Sequence, residues 1–221
     1  MKKIFAAVAL VAASALASPA SAALNNVNVT VAAPNFQGGG AGFENAPLGQ
    51  LAAGYSEAGL TFQPGSPTKV KAAPSDGEGA FPFGDTSTQY LSVLGGSFVD
   101  IYAAAPSSKI GFYWGSVDDY NIIEFFKIGN AVAVGSMLGS DATPLLSNGN
   151  QGSFTTNRYV TISLNSGTYD YVRLSSTANS FEIDNISSGV PEPSTWAMML
   201  IGFAGLAALS RRRQSRALVR V

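Results

Sequence analysis

Apolar and polar residues alternate in short runs between residues 23 and 189, and Gly, Pro, Asn and Ser separate one run from the next. A period of two is typical of strands with one buried face, and no stretch here keeps a helical period over three turns. The pattern predicts about ten strands. They cover residues 27–31, 59–62, 89–94, 98–102, 109–114, 120–127, 131–137, 158–164, 169–174 and 180–186. Residues 34–88 are rich in Gly and Pro and only weakly periodic, so we expect long loops there with one or two strands.

The connections between these runs are short and carry turn residues, as in Gly95-Gly96, Gly129-Asn130 and Asn148-Gly149. Short connections join antiparallel neighbours, and about ten strands must close into a sandwich or a barrel to bury their faces. We therefore predict an all-β fold for residues 23–189, a jelly-roll-like antiparallel β-sandwich. A signal helix is expected before it and a short hydrophobic helix after it.

Alternate apolar positions within the runs identify the predicted core, because side chains two apart on a strand share a face. The three clearest groups are Ile110, Phe112 and Trp114; Val160, Ile162 and Leu164; and Val132 with Val134. Residues 120–127 carry apolar side chains at both odd and even positions, which predicts a central strand that is buried on both faces.

The N-terminus has the three parts of a bacterial signal peptide. Lys2 and Lys3 precede an apolar run over residues 4–16, and Ala20 and Ala22 provide the small residues of an A-x-A exit. This arrangement predicts a signal peptide at residues 1–22, export through the Sec translocon and cleavage by signal peptidase before Ala23.

The C-terminus combines a Pro-Glu-Pro motif, an apolar run and a basic cluster. Pro191-Glu192-Pro193 precedes an apolar run at residues 196–209, and Arg211-Arg212-Arg213 follows it. A helix over that run would be about 21 Å long, short of the ~30 Å hydrocarbon core, so it predicts a marginal span. The arginines should stay in the cytoplasm, which places the body on the outer side of the inner membrane. A buried core helix is the alternative, and the adjoining arginines argue against it.

These C-terminal features resemble the PEP-CTERM sorting signal, and Trp196 and Ala197 match its PEPxxWA subtype. Such tails are also labelled as an ice-binding protein C-terminal domain, a label that implies nothing about ice. The resemblance implies that an exosortase recognises residues 190–213 and cleaves near the Pro-Glu-Pro motif. The segment would serve as a transient inner-membrane anchor, with residues 214–221 as a cytoplasmic tail, before the body reaches the cell surface or the extracellular space.

The body carries three segments that resemble a family of exosortase-dependent surface proteins. They are residues 90–96, the FYWGSxDxYN core at residues 112–121 and residues 181–186. The resemblance implies a β fold and a surface location. No activity is established for that family, so the resemblance leaves the function open.

Composition excludes several classes of function. The chain has no cysteine and no histidine, which removes disulfides, thiolate metal sites, cysteine nucleophiles and the Ser-His-Asp triad. Between residues 23 and 190 there are six basic and thirteen acidic residues. An acidic body repels phosphate backbones, so nucleic acid is not expected as a partner.

The acidic residues suggest one metal site. Glu182, Asp184 and Asn185 lie on the last predicted strand, and Asp118 lies in a turn. Carboxylate and amide oxygens are ligands that calcium prefers, so structural calcium is the one cofactor the sequence suggests. The alternative is that these acids are ordinary solvated strand and turn residues.

Two further chemistries rest on weaker patterns. Asp118 or Asp119 with Glu182 would supply the two carboxyl groups of a glycosidase, but no histidine or nucleophile motif accompanies them. The tyrosines at positions 102, 113, 159, 169 and 171 are candidates for a sugar-binding face; the alternative is that they are half-buried strand residues.

We therefore expect a non-enzymatic, exported and exosortase-processed protein with a structural or adhesive role at the surface or in the extracellular matrix. The alternative is a carbohydrate-binding module for exopolysaccharide, with structural calcium. A surface glycan hydrolase is the third hypothesis.

Overall fold

A computed structural model describes residues 26–189 of the chain. The predicted signal peptide, its cleavage site at Ala23, the sorting segment and the tail all lie outside the described residues, as do the two predicted helices. Within the described part the protein is all-β, with thirteen strands and one short 3-10 turn at Gly139–Asp141. None of the helices described is long and apolar enough to cross a membrane.

The strands follow the order β1 to β13 along the chain. They are β1 Val27–Val31, β2 Gly49–Gln50, β3 Tyr55–Glu57, β4 Leu60–Pro64, β5 Thr68–Ala72, β6 Gln89–Val93, β7 Ser97–Ser107, β8 Lys109–Gly115, β9 Asn121–Phe126, β10 Gly135–Leu138, β11 Arg158–Leu164, β12 Tyr169–Ser176 and β13 Phe181–Ser188.

All pairings are antiparallel, and the strands form two sheets. The first sheet has seven strands in the order β1-β11-β8-β13-β6-β5-β2, and the second has six in the order β10-β9-β12-β7-β4-β3. From β6 onwards, successive strands pass from one sheet to the other, except for the β9–β10 hairpin. The expectation of two antiparallel sheets is confirmed.

One hydrophobic core joins the inner faces of the two sheets. Ile110, Phe112 and Trp114 of β8 are buried in it, as are Val160, Ile162 and Leu164 of β11, which confirms both predicted faces. The second sheet contributes Ile101, Phe125, Val172 and Leu174 to the same cluster. The apolar alternation therefore marked the inner face correctly in both strands.

Residues 120–127 were expected to form a strand that is buried on both faces, but this property belongs to β8 and to long parts of β6 and β13. Residues 110–115 of β8 are all buried. Its outer face is covered by the loop before β6, where the carbonyl of Phe83 accepts a hydrogen bond from the Tyr113 hydroxyl at 2.8 Å. In β9, Ile123 and Phe125 point into the core while Ile122 and Glu124 stay half-exposed on the outer face.

Two further predictions were wrong, one about where a strand begins and one about the number of strands in residues 34–88. Val132 is 77% exposed, because the strand expected over residues 131–137 begins only at Gly135. The preceding residues form a turn in which the Asn130 amide donates to the Lys127 carbonyl at 3.0 Å. Residues 34–88 hold four strands, β2 to β5, where one or two were expected. Two of these have only two or three residues, too few to show a period in the sequence.

Candidate functional site

Strand β13 lies in the middle of the first sheet, between β8 and β6, and brings the predicted metal ligands to the outer side of that sheet. Phe181 and Ile183 belong to the core, so Glu182 and Asp184 lie on the opposite face, as the alternation predicted. Both carboxylates are nevertheless buried, because loops cover this face of the sheet.

Glu182 is held by neutral donors. Its Oε1 accepts hydrogen bonds from the Ala80 amide, at 3.0 Å, and from the Ser180 hydroxyl, while its Oε2 accepts from the Ser116 hydroxyl at 2.6 Å. Burial raises the pKa of Glu182, and these hydrogen bonds only partly offset the effect. Both oxygens are therefore occupied by groups of the protein itself.

A polar cavity of about 340 Å³ opens beside Glu182. Asp118 and Tyr120 from the loop between β8 and β9 line it, and no lysine or arginine is among its lining residues. The Tyr120 hydroxyl donates to Asp118 Oδ2 at 2.6 Å, yet burial raises the pKa of Asp118. The structure thus brings Asp118 and Glu182 to one cavity, while Asp119 is not part of its lining.

Asp184 and Asn185 belong to a different cluster. Asp184 Oδ2 accepts a hydrogen bond from the Ser87 hydroxyl, and the Asn185 side-chain amide donates to Asp85 Oδ1 at 3.4 Å. The four predicted metal ligands are thus split between two places: Glu182 and Asp118 at the cavity, Asp184 and Asn185 beside Asp85. In residues 26–189 there is no group of three or more His, Cys, Asp and Glu side chains placed to hold a metal ion.

Sequence reasoning missed Asp85, which lies in the aperiodic region before β6. The local signal for it is the run Asp85-Thr86-Ser87, in which Asp85 Oδ1 accepts from the amides of Thr86 and Ser87 at 2.7 and 3.3 Å. This arrangement is an Asx turn, which positions the side chain close to its own backbone. The turn is a local feature and does not predict which strand the Asp85 carboxylate contacts.

The outer face of the second sheet carries an aromatic row. The Tyr102 and Tyr171 rings stack with their centroids 4.9 Å apart, and Phe126 stacks on Tyr171 at 5.1 Å. Beside the row, Arg173 donates two hydrogen bonds of 2.7 Å to the Asp100 carboxylate. We call these five residues the aromatic face.

The other three tyrosines considered for sugar binding are in the interior. Tyr113, Tyr159 and Tyr169 are buried, and burial raises the pKa of each phenol. These three are therefore structural strand residues, buried more deeply than the half-buried positions expected as the alternative, and of the five tyrosines only Tyr102 and Tyr171 come together at the surface.

The chain was compared with protein families, curated proteins and solved structures. The PEP-CTERM protein-sorting motif is found at residues 189–214, directly after β13 ends at Ser188. No match was found among the curated proteins or the solved structures. The motif implies export, processing by exosortase and membrane-anchored sorting to the cell surface.

Proposed function

We propose that the protein is a non-enzymatic surface or extracellular-matrix component that exosortase releases from a transient membrane anchor. The single observation that carries the proposal is the sorting motif at residues 189–214, behind a body that is β throughout its described part. In this proposal residues 1–22 direct export, residues 190–213 form the PEPxxWA-type signal and its hydrophobic helix, and residues 214–221 stay in the cytoplasm.

The order of the strands supports a jelly roll for the body. Strands β6 to β13 supply four adjacent strands to each sheet, β11-β8-β13-β6 in the first and β10-β9-β12-β7 in the second. Eight strands that alternate between two sheets in this order are the arrangement of a double Greek key. Jelly rolls occur in viral capsid and lectin domains, which is compatible with an exported structural or sugar-binding protein.

The sorting proposal is tested on surface protein from cells that contain the matching exosortase. Mass spectrometry should find an N-terminus at Ala23 and no peptide from residues 196–211. Replacing Pro191, Glu192 and Pro193 by alanine should leave the unprocessed chain in the membrane fraction, whereas Leu218→Ala, beyond the matched motif, should be processed normally. Recovery of an intact C-terminus from extracellular material would refute the proposal.

The aromatic face favours a second candidate function, the binding of exopolysaccharide. Sugar rings present apolar C–H faces beside hydroxyl groups, and they are bound where aromatic rings adjoin hydrogen-bonding side chains. Tyr102 and Tyr171 supply two partly exposed rings, with the buried Phe126 stacked beneath Tyr171, and Arg173, held at 2.7 Å by the buried Asp100, supplies hydrogen-bond donors. This combination supports a carbohydrate ligand.

Substitution on the aromatic face tests the second function. Tyr171→Ala should weaken co-sedimentation with purified exopolysaccharide about five- to thirtyfold, since removing one well-placed ring costs roughly 1–2 kcal/mol. Tyr171→Phe keeps the ring and should bind within a few-fold of the wild type. Phe36→Ala, an exposed aromatic that packs on Tyr159 of the first sheet, is the matched control. Equal binding by Tyr171→Ala and the wild type would exclude this face.

The environment of Glu182 supports a non-enzymatic role. A glycosidase needs two carboxyl groups that reach the substrate, one of them free to donate or accept a proton. Glu182 is only 2% exposed, and both of its oxygens already accept hydrogen bonds from the protein. Release of reducing ends from exopolysaccharide, lost in Asp118→Asn, would overturn this part of the proposal.

A further inference from the structure

Two buried carboxylate oxygens of the body have no hydrogen-bond partner. They are Asp184 Oδ1 and Asp85 Oδ2, and among residues 26–189 no other carboxylate oxygen is buried in this way. Asp184 is fully buried, with 0% of its surface exposed. A buried carboxylate oxygen without a partner is costly, and proteins normally compensate it with a hydrogen bond, a cation or a bound metal ion.

A β-bulge turns neighbouring side chains of β13 towards the same space. The register between β13 and β8 shifts between Asp184 and Ser187, and Asn185 has a left-handed φ of 51°. Consecutive strand residues normally point to opposite faces, and a bulge re-aims one of them. A Cβ added to Gly42 would lie 3.7 Å from Asp184 Oδ1 and 3.8 Å from Asn185 Oδ1, so both oxygens border the space above Gly42.

No basic side chain of residues 26–189 forms an ion pair with Asp85 or Asp184. The Asn185 amide and the Ser87 hydroxyl are the side-chain donors to the pair. The cluster therefore holds two carboxylates and no basic side chain, and a bound cation would compensate their negative charge.

We infer that Asp85, Asp184 and Asn185 bind a calcium ion, with Ser87 beside them, and that Glu182 and Asp118 take no part in the site. The side-chain oxygens are hard ligands of the kind calcium takes, and calcium completes its six to eight ligands with backbone carbonyls and water. Zinc sites in proteins use histidine or cysteine for most of their ligands, and the chain has neither. Magnesium demands a stricter octahedron and keeps more of its water.

The ion would join three segments that are distant in sequence. The segment around Gly42 is fixed to β13 by the paired hydrogen bonds of Ala41 with Ile186, at 2.8 and 2.9 Å. The Asp85 loop precedes β6, and Asp184 lies on β13. A site of two carboxylates is expected to bind at the weak end of the calcium range, about 10⁻⁴–10⁻³ M, as in extracellular modules. Its role is therefore structural, and it does not depend on how the chain is sorted.

Calcium titration of the full-length protein tests the inference. Isothermal titration with calcium chloride should give one site, and the melting temperature should rise by about 5–10 °C at a hundredfold excess over Kd relative to chelator. In Asp85→Asn and Asp184→Asn this shift should fall below about 1 °C. Asp118→Asn and Glu182→Gln, the other carboxylates considered for the metal, should keep it.

Gly42→Ala protects the test against variants that fail to fold. It retains every carboxylate but places a methyl group in the space that the two oxygens border, so calcium affinity should fall about tenfold or more while the fold persists. Absence of any calcium heat and thermal shift in the wild type would overturn the inference. A shift that survives Asp85→Asn but disappears in Asp118→Asn would place the ion at the cavity instead.

Discussion

Trp114 shows how one residue connects the core to the loops above it. It is fully buried, stacks on Phe181 at 4.8 Å between ring centroids and donates from Nε1 to Asn121 Oδ1 at 3.3 Å. Asn121 in turn accepts a hydrogen bond from the Asp118 amide at 3.0 Å, and so ties the core to the wall of the polar cavity. The indole therefore supports both packing and the position of Asp118.

Trp114→Ala should lower the free energy of unfolding by roughly 3–5 kcal/mol, because it leaves a large cavity and removes a partner of Asn121. That is a large part of the ~5–15 kcal/mol that stabilises a typical domain. Trp114→Phe keeps an aromatic ring against Phe181 and should cost less. Urea denaturation measures both variants, and a loss below about 1 kcal/mol for the alanine variant would show that the side chain is not packed as described.

Glu124 and Asp170 should respond to pH with opposite sign. Burial raises the pKa of Glu124, and Arg173 beside it offsets this only partly. The native state thus keeps a proton that the unfolded chain releases, and stability falls as the pH rises from about 4.5 through the raised pKa. Glu124→Gln removes this ionisation, so its stability relative to the wild type should increase from pH 4 to pH 7.

Asp170 is the matched case with a lowered pKa. Its carboxylate accepts hydrogen bonds from the Ile128 amide at 2.8 Å and from Lys127 Nζ at 3.1 Å, and both lower its pKa. This stabilisation is present above the unfolded pKa of about 3.8 and is lost as the pH falls through the native value. Asp170→Asn should therefore destabilise the protein at pH 7, and the destabilisation should shrink steadily as the pH falls below about 3.8. Equal pH profiles for the two variants would contradict both assignments.

At the scale of elements, β13 is the strand on which most of the proposed features converge. It pairs with β8 and β6, places Phe181 and Ile183 in the core and carries Glu182 and Asp184 on the other side. The segment near residue 41 pairs with the C-terminal half of β13, where the bulge interrupts the pairing of β13 with β8. Disturbing that pairing should therefore destabilise the sheet and the proposed calcium site together.

Gly40→Ala is the substitution that tests this pairing. Gly40 has a φ of +155°, and a Cβ there would lie 1.9 Å from the backbone oxygen of Ile186, so the segment must move away from β13. We expect a loss of about 3 kcal/mol, from the steric clash and the hydrogen bonds of Ala41. Gly39→Ala, whose added Cβ would meet nothing within 4 Å, should change stability by at most about 0.5 kcal/mol. Similar losses in both variants would show that the contact with Ile186 is unimportant.

At the scale of the whole molecule, the sorting motif follows the β body directly in sequence. The last strand of the described residues ends at Ser188, and the motif begins at residue 189. Because β13 has a partner on each side, the first sheet needs its whole length. Processing near the Pro-Glu-Pro motif is therefore expected to leave all thirteen described strands in place.

A chain that stops at Gly189 should keep the melting temperature of the longer protein within about 2 °C, because it retains every strand of the described residues 26–189. A chain that stops at Ser180 lacks β13, which opens the first sheet between β8 and β6, and should not fold. Thermal unfolding followed by circular dichroism compares the two. Loss of cooperative unfolding in the chain that stops at Gly189 would mean that the sorting segment is part of the folded body.

Features that repeat over a few residues could be predicted from the sequence. The inner faces of β8 and β11 follow from alternation, because side-chain direction on a strand has a period of two wherever the strand lies. The Pro-Glu-Pro motif at residues 191–193 and the arginines after it form a contiguous signal that needs no fold to be read. The all-β class followed from the same short runs and their turn residues.

Contacts between distant segments were decided only by the tertiary structure. That β8 rather than β9 is buried on both faces depends on the loop that lies over it, and a loop without periodicity leaves no mark in the pattern. Asp85 meets Asp184 because strand order brings the turn before β6 beside β13, although about a hundred residues separate them. Glu182 and Asp184 are two residues apart on one face of β13. Because different loops cover them, Glu182 lies at the polar cavity and Asp184 lies beside Asp85. Local periodicity determines which way a side chain points, whereas the packing of strands and loops determines what it meets.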